Sequence, residues 1–373
     1  MNFNKINKTK IVGVITAVMV MASSTLVSFA DSTLLTYQDA IKIALKNNRN
    51  LAKISDQLDK IDEQYTTPSG APAYILLAQP SLSAQLTQKS QKLSNASGTV
   101  KLQFEAVADG LELQIKGSFY KINLLKDSIE LKNKKLLDAQ DKHRILSLKL
   151  RNGMASKFEV EQSEIALSEL KEGIKAEQIS LEKEIQNLKS ILGVTVFNYN
   201  ELEELPIEYS LVDDLHLKPE YQAAKAVSDS PSIMAQKKSI EEAELAFVLT
   251  PLSIVSAGTD TGITPISIQK SDIKLKDTEL RNAKDELYFT VVNTYNSIKT
   301  LETNISQMEV QLENLNKNID AMQVRLKAGV VSQRDLDNLL IMKEELLVGI
   351  KSLKANHTMM LMQYQKPHLL GLS

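Results

Sequence analysis

The side chains that most often perform enzyme chemistry are few in this chain, and they are not arranged for it. Its four histidines, none of which stands in a metal-binding spacing, are His143, His216, His357 and His368. The chain has no Cys, no G-x-S-x-G elbow around a nucleophilic serine and no phosphate-binding glycine loop. We therefore predict no catalytic, cofactor-binding or metal-binding residue, no cofactor, and a protein that is not an enzyme.

Two other groups of residues have the spacing of helix caps, which is a structural role. Glycine adopts the left-handed conformation that ends many helices, and three residues later a serine can cap the next helix. An acidic residue three positions after the serine completes a capping box. These residues are Gly153, Ser156 and Glu159 in one turn, and Gly329, Ser332 and Asp335 in the other. Each group predicts a tight turn between two antiparallel helices.

The two turns belong to a duplicated chain. Residues 148–160, LKLRNGMASKFEV, match residues 324–336, VRLKAGVVSQRDL, at an offset of 176 residues. Each stretch is followed by helix-favouring residues that end in Leu-Gly. Internal duplication of this kind indicates two similar structural units. We place the first unit at residues 31–193, a linker at 194–218 and the second unit at 219–373.

Each unit contains a long heptad pattern, in which mainly apolar residues alternate at three- and four-residue spacing. This pattern, or seam, covers Ile298–Leu326 in the second unit and Ile122–Leu150 in the first, where Lys132 and His143 interrupt it. A strict 3.5-residue seam is typical of long helices that pack on partner helices. Together with the turns, it predicts one long α-hairpin in each unit. The predicted hairpins cover about residues 100–192 and 271–366.

Two segments at the other end of the hairpins lack this pattern. Residues 66–98 are rich in Pro, Ser, Ala and Gln, and residues 250–270 contain two short alternating pieces around Gly-Thr-Asp-Thr-Gly. We interpret both as short β-hairpins or loops inserted between a shorter helix and the long one. The predicted fold class is therefore mainly α, with two tandem α-hairpin repeats and short β-hairpin insertions at one end.

Residues 1–30 have the layout of a secretory signal peptide. Lys5, Lys8 and Lys10 precede an apolar run that ends in a small-residue cleavage site, Ser-Phe-Ala, before Asp31. The absence of Cys excludes a lipid-anchored N-terminus. Without the three lysines, 41 basic residues remain against 46 acidic ones. A mildly acidic chain without a basic cluster is not expected to bind nucleic acid.

In this order and at this duplicated spacing, the features resemble the TolC-like outer-membrane efflux family. The opening LTYQDAIKIALKNNRNL is similar to the family's start, with Thr36, Ala40 and Asn48 in place and Arg49 where the family usually has proline. Both turns match the family's G-x-x-S-x-x-[DE]-[VL] pattern. The resemblance covers about residues 34–371.

The resemblance implies a homotrimer whose helices form a long, coiled-coil-like α-barrel. It implies an efflux or export conduit of the outer membrane and periplasm, or of the cell envelope in an organism without an outer membrane. The expected partners are an inner-membrane transporter and a periplasmic adaptor protein. At the hairpin tip, the resemblance implies that Asp335 points into the pore and forms an acidic ring in the trimer. Asn338 stands at a second family aspartate position, where the ring would be neutral.

One departure from the family leaves a second function open. Residues 250–270 provide only 21 positions and no aromatic residue, whereas a membrane-spanning strand needs about 9–11 residues with aromatic residues at both interfaces. The alternative is a secreted, non-conducting coiled-coil protein of the cell envelope that acts as a scaffold or binds partners. For Asp335, a purely capping role is the alternative to the pore role, although one residue can serve both.

We predict that the mature protein begins at Asp31, because the basic flank, the apolar run and the Ser-Phe-Ala site fit signal peptidase cleavage. Mass spectrometry of protein from the cell envelope should find an N-terminal peptide starting at Asp31. Mature protein that retains Met1–Ala30 would contradict this prediction.

Overall fold

The computed structural model describes residues 34–66, 80–195, 199, 201–215, 217–257 and 266–371. In these residues the elements are β1 (Leu34–Leu35), α1 (Tyr37–Asn47), α2 (Arg49–Thr66), α3 (Pro80–Arg151), α4 (Lys157–Leu192), β2 (Glu201–Leu202), α5 (Pro219–Asp229), α6 (Pro231–Ala257), α7 (Ile266–Lys327) and α8 (Gln333–Gln365). Single 3₁₀ turns cover Asp213–Leu215 and Pro367–Gly371. β1 and β2 pair in parallel, with Leu34 opposite Glu201 and Leu35 opposite Leu202.

Two long α-hairpins dominate the structure, as the duplicated pattern predicts. α3 packs along α4, and α7 packs along α8. With 72 residues α3 is about 108 Å long, and α7, with 62 residues, is about 93 Å long. Both predicted seams, Ile122–Leu150 and Ile298–Leu326, are buried or half-buried at every a and d position. The mainly α fold with two tandem hairpins is therefore confirmed.

The four long helices lie side by side in the order α4–α3–α8–α7. α3 contacts α8 as well as its hairpin partner α4, so the two hairpins meet through these two helices. The α3–α8 contact continues from the Asp109–Lys366 ion pair to the Asp138–Arg334 pair near the turns. α4 and α7 are the two edges of this row. The row is the frame on which the shorter elements are placed.

The shorter helices pack against the half of the row that is farther from the turns. One apolar cluster joins α1 to α3 and α4 around Phe119 and Leu188. A second cluster joins α5 to α7 and α8 around Val291 and Tyr364. In both repeats, therefore, a short helix that precedes the long hairpin covers the same end of it. This correspondence is a second structural consequence of the duplication.

Residues 201–217, whose described part includes β2 and the first 3₁₀ turn, cross the row from the first hairpin to the second. We name this segment the strap. The Pro206 carbonyl accepts a hydrogen bond from Tyr120 of α3 at 3.2 Å, and the Glu208 carbonyl accepts one from Thr358 of α8 at 3.1 Å. The Val212 N–H donates to Glu302 of α7 at 2.6 Å. The strap therefore binds both hairpins on one side of the row.

The predicted insertion at residues 66–98 is wrong for its second part, because residues 80–98 are the first turns of α3. This part of α3 packs against α2 and α6, with Ala84 and Asn95 buried. Small and amide side chains occupy much of this buried face, so the sequence shows too few apolar residues to indicate a helix. Residues 67–79 lie outside the described residues.

The insertion predicted at residues 250–270 is also wrong wherever the structure describes it. Residues 250–257 end α6, and residues 266–270 begin α7. Leu252–Ala257 alternates as a strand would, but a short apolar run does not distinguish a strand from part of a helix. Here the run continues a 27-residue helix that packs on α3 and α7. Residues 258–265 lie outside the described residues.

A close contact recurs at equivalent places in the two hairpins. A Cβ atom on Gly349 of α8 would lie 2.8 Å from the Cε atom of Met308 on α7. At the 176-residue offset, Gly173 of α4 faces Lys132 of α3, whose Nζ lies 3.4 Å from the Gly173 carbonyl oxygen. In both hairpins, the glycine has no side chain, and this leaves room for the long unbranched side chain of the facing helix.

The first hairpin differs from the second in the chemistry of this contact. Lys132 forms an ion pair with Glu177 of α4 at 2.7 Å, and the Ser128 hydroxyl donates to the same carboxylate at 2.8 Å. In the second hairpin Met308 and Leu353 stand at the positions of Lys132 and Glu177. An apolar pair in one repeat is thus a charged pair in the other.

We predict that Lys132→Met destabilises the protein by about 1–3 kcal/mol, because it leaves the half-buried Glu177 carboxylate without its cation. Lys132→Met combined with Glu177→Leu should return stability to within about 1 kcal/mol of the parent, because it copies the second hairpin's apolar pair. Thermal and urea unfolding of the three proteins measure the difference.

Met308→Lys is the matched control, because it places an ammonium opposite Leu353 and should destabilise the protein without a compensating carboxylate. A double variant that is no more stable than Lys132→Met would show that the two positions are not interchangeable between repeats.

Candidate assembly edges and hairpin tips

Both hairpins end in the same kind of turn. Gly153 and Gly329 have a φ of 71°, in the left-handed region that glycine adopts without the penalty of a Cβ atom. In the first turn the Ser156 N–H donates to the Glu159 carboxylate at 2.7 Å, and the Glu159 N–H donates to the Ser156 hydroxyl oxygen at 3.2 Å. This reciprocal pair is a capping box, and it fixes the point at which α4 begins.

Asp335 occupies the equivalent place at the start of α8. Its carboxylate accepts from the Ser332 hydroxyl at 2.8 Å and from the Ser332 N–H at 3.0 Å. These hydrogen bonds hold the pKa of Asp335 below its usual value, so the exposed carboxylate is charged at neutral pH. The structure therefore gives Asp335 a capping role and leaves its charge available to the surroundings of the tip.

Asn338 lies one turn further along α8 and connects the two hairpins. Its side-chain carbonyl accepts a hydrogen bond from Lys142 of α3 at 3.2 Å. In heptad terms Leu336 is an a residue of the seam, so Asp335 and Asn338 are g and c residues on the same side of α8. The structure thus brings the two predicted tip residues to one side of the row.

The contact between α3 and α8 is mostly charged, unlike the apolar seams inside the hairpins. Its ion pairs nearer the turns include Lys351–Asp127 at 2.7 Å, Lys135–Glu345 at 2.8 Å, Lys134–Glu344 at 3.0 Å and Arg334–Asp138 at 3.7 Å. Partly exposed pairs of this kind contribute between about 0 and 1 kcal/mol each. They set which hairpin faces meet more than they add to stability.

The edge helices carry apolar residues on the side that no element of the described residues covers. On α4 these are Phe158, Ile165 and Ile179, spaced by multiples of seven residues and 51–67% exposed. On α7 they are Leu275, Phe289, Val310 and Val324, again spaced by multiples of seven and 55–67% exposed. All stand at heptad position f, opposite the a and d seam. Exposed coiled-coil positions are normally polar, so these two rows are candidate contact surfaces.

The α3–α8 contact shows how such rows are covered. Asp127 and Lys134 are f residues of α3, and both reach α8. By the repeat, α7 corresponds to α3 and α4 corresponds to α8. The uncovered f side of α7 therefore corresponds to the f side of α3, which packs against α8. The uncovered f side of α4 likewise corresponds to the side of α8 that packs against α3. The geometry needed to join two copies of the chain already exists within one copy.

The two broad sides of the row are different. The strap lies on the side formed by the b and e residues of α7 and α8. It bonds there to Lys351 and Thr358 of α8 and to Lys299 of α7, whose Nζ lies 3.0 Å from an Asp213 oxygen. Asp335 and Asn338, at g and c, lie on the opposite side. We name these the strap side and the bare side.

A buried polar group ties the strap to the second hairpin, and the sequence pattern missed it. Glu302 of α7 is 5% exposed, and its carboxylate contacts the Val212 N–H, Lys299 at 2.8 Å and His357 Nε2 at 3.3 Å. Burial alone would raise the pKa of Glu302, but hydrogen bonds from Lys299, Val212 and His357 outweigh burial and lower it. Glu302 is thus a charged anchor for the strap.

Two of the remaining histidines have structural partners. His143 Nδ1 lies 2.8 Å from the Ser163 hydroxyl, and His368 Nε2 lies 2.8 Å from an Asp109 oxygen. His216 lies outside the described residues. Across the described ranges, no group of three or more His, Asp or Glu side chains is placed to hold a metal ion. None of the helices in that part of the chain is long and apolar enough to cross a membrane.

Comparison with known proteins finds similarity in structure alone. No family profile and no curated protein sequence matches the chain. The CmeC outer membrane channel of Campylobacter jejuni superposes with a TM-score of 0.65 at 11% identity, over 90% of this chain and 86% of that one. The open-state MtrE outer membrane channel of Neisseria gonorrhoeae gives 0.62 at 13% identity, over 90% and 88%.

A third solved structure, the outer membrane protein VceC of Vibrio cholerae, covers 90% of this chain and 96% of its own, with a TM-score of 0.59 and 11% identity. At such low identity the similarity establishes the fold. The protein has the fold of the TolC-like outer-membrane channels, as the resemblance in its opening residues and turns predicts.

Proposed function

We propose that the protein is one subunit of a homotrimeric efflux or export conduit in the cell envelope. The observation that carries the proposal is the pair of uncovered apolar rows on opposite edges of the four-helix row. Because one row is on α4 and the other on α7, a contact between two copies leaves a new α4 edge and a new α7 edge. Such a contact repeats until a ring closes.

Three copies close the ring by analogy with the TolC-like channels, whose fold this chain shares. Twelve long helices would then form a single α-barrel wall. In this wall the f residues of every long helix are covered. α3 and α8 pack on each other within a chain, and α7 packs on α4 of the next chain. Hydrophobic burial along both apolar rows supplies the driving force for closure.

The hairpin tips form one mouth of this conduit. Asp335 lies on the bare side of the row, and three copies would place three carboxylates around the aperture. A ring of carboxylates attracts cations and disfavours anions. By the same resemblance, the tips face a periplasmic adaptor protein and an inner-membrane transporter, and the opposite end is directed to the outer membrane or the outer part of the envelope.

A second candidate function is a non-conducting envelope scaffold with the same assembly. It is favoured by the helical character of residues 80–98, 250–257 and 266–270, which the sequence predicts as parts of β-hairpin or loop insertions. A scaffold of this kind would form the same ring but would conduct no ions in a bilayer. Conductance of the purified mature protein therefore separates the two functions.

We predict that Val310→Asp converts the trimer to monomers, because it places a charge at the middle of the apolar f row of α7. Light scattering at micromolar concentration measures the mass, and circular dichroism should show that the helices remain. Gln311→Glu is the matched control: it adds a charge to the adjacent exposed position on the bare side and should leave the trimer intact. By contrast, Leu312→Asp, in the a and d seam, should unfold the hairpin itself.

A trimer that survives Val310→Asp would show that the α7 row is not the contact between copies. A wild-type protein that is a stable monomer at micromolar concentration would contradict the assembly as a whole.

We further predict that Asp335→Asn reduces the cation preference of the open conduit while keeping the fold. Asparagine preserves a capping-compatible acceptor but carries no charge. Bilayer recordings of reversal potential and divalent-ion block measure the change, with Asp337→Asn, at the neighbouring position on the strap side, as the control. Unchanged selectivity in Asp335→Asn would leave Asp335 as a helix cap alone.

A further inference from the structure

One side of α7 carries an uninterrupted row of uncharged polar side chains. From Asn293 to Asn318 the c and g positions hold only Asn, Gln, Ser and Thr, and all eight are exposed. At 1.5 Å per residue the row is about 38 Å long. We name it the amide stripe. The b and e positions over the same length are different, because they include Lys299, Glu302, Glu309 and Glu313.

The strap shows which way the amide stripe faces. Tyr295 and Lys299, at e and b, bond to Asp213 of the strap at 2.8 and 3.0 Å, and Glu302, also at e, holds the Val212 N–H. A segment that crossed the interior of a narrow conduit would obstruct it. The strap side is therefore the outside of the ring, and the amide stripe, on the bare side, faces the interior.

Helix α3, which lies beyond α8 in the row, presents lysines at g positions on the same bare side, and three of these are paired with an acid. Lys121 pairs with Glu184, Lys135 with Glu345, and Lys142 with Asp138. Their charges are thus largely compensated where they stand. These three lysines therefore add little net charge to the side of the row that carries the amide stripe.

We propose that the amide stripe lines the conduit and makes this section indifferent to the sign of a solute's charge. Exposed amides and hydroxyls exchange hydrogen bonds with water and with polar solutes at little net cost, so they neither retain nor repel a passing molecule strongly. The inference rests on the proposed conduit and deepens it. It assigns passage to polar solutes of either charge or none, and it leaves charge preference to the tips, where Asp335 and its repeat counterpart Glu159 both carry a carboxylate on the bare side.

The absence of Cys from the chain makes the orientation directly testable. Gln311 and Glu313 are both exposed and two residues apart, which places them about 154° apart around a heptad helix. Gln311→Cys and Glu313→Cys are labelled in the assembled, full-length mature protein with a positively charged methanethiosulfonate reagent. Conductance in a planar bilayer is recorded before and after labelling.

Modification at Gln311→Cys should remove more than about half of the conductance, because three cations enter the lumen at one level. Modification at Glu313→Cys, on the outside, should leave it unchanged. Equal conductance before and after labelling of Gln311→Cys, with the label confirmed by mass, would overturn the lining. A protein that conducts nothing before labelling would instead contradict the conduit itself.

Spin labels at the same two cysteines give a measurement that does not need conduction. Pulsed electron paramagnetic resonance on the trimer should find shorter distances between the three labels at position 311 than at 313. Longer distances at position 311 would place the amide stripe outside and overturn the proposal.

Indifference to charge is tested with substitutions in the stripe. Asn304→Asp should raise the ratio of cation to anion permeability, and Asn304→Lys should lower it, in the background of Asp335→Asn combined with Glu159→Gln. That background variant should itself show a permeability ratio near one. A strong selectivity that remains without these two tip charges would overturn the neutral lining.

Discussion

Each of the four long helices has packing surfaces on two opposite sides, and the architecture depends on this constraint. In a heptad, the a and d residues meet one neighbour and the f residues face the other way. A bundle around a common core would leave f in water. Here α3 uses its f side against α8, and α4 and α7 carry exposed apolar residues such as Ile179 and Val310 at f. Helices with neighbours on opposite sides form a row, and a row buries its edges only by curving into a ring.

The duplication produces the two hairpins of this row, and sequence divergence between the two repeats makes their helix contacts chemically different. The first hairpin seam includes the Lys132–Glu177 pair, where the second has Met308 and Leu353. The contact between hairpins contains several ion pairs within the chain, whereas the edges that would join copies carry exposed apolar residues among polar ones. A buried charge that meets an apolar surface loses its hydration without gaining a partner, so mismatched pairings are disfavoured. Two similar hairpins can therefore assemble in one order.

The strap makes the two sides of the row different. It crosses one side only, and Glu302 and Lys299 fix it to α7 while Tyr120 and Thr358 fix it to α3 and α8. The strap and the short helices α1 and α5 pack on the part of the row that is far from the turns, so they do not cover the hairpin tips. The tips are then held mainly by their capping boxes and by the ion pairs between α3 and α8. These contacts are weaker than a buried apolar core.

The sequence by itself determined the repeat, the two hairpins, the turn residues and the heptad seams, because these depend on local capping chemistry and on a periodicity that survives over many turns. It did not determine the helical ends of the insertions, where Ala84 and Asn95 are buried in place of a row of leucines. Nor did it determine the partners of Glu177 and Glu302, which look like ordinary charged helix residues until the opposite helix is in place. The two sides of the row were decided only by the tertiary structure. A heptad specifies which residues share a side, but only the path of the strap distinguishes one side of the row from the other.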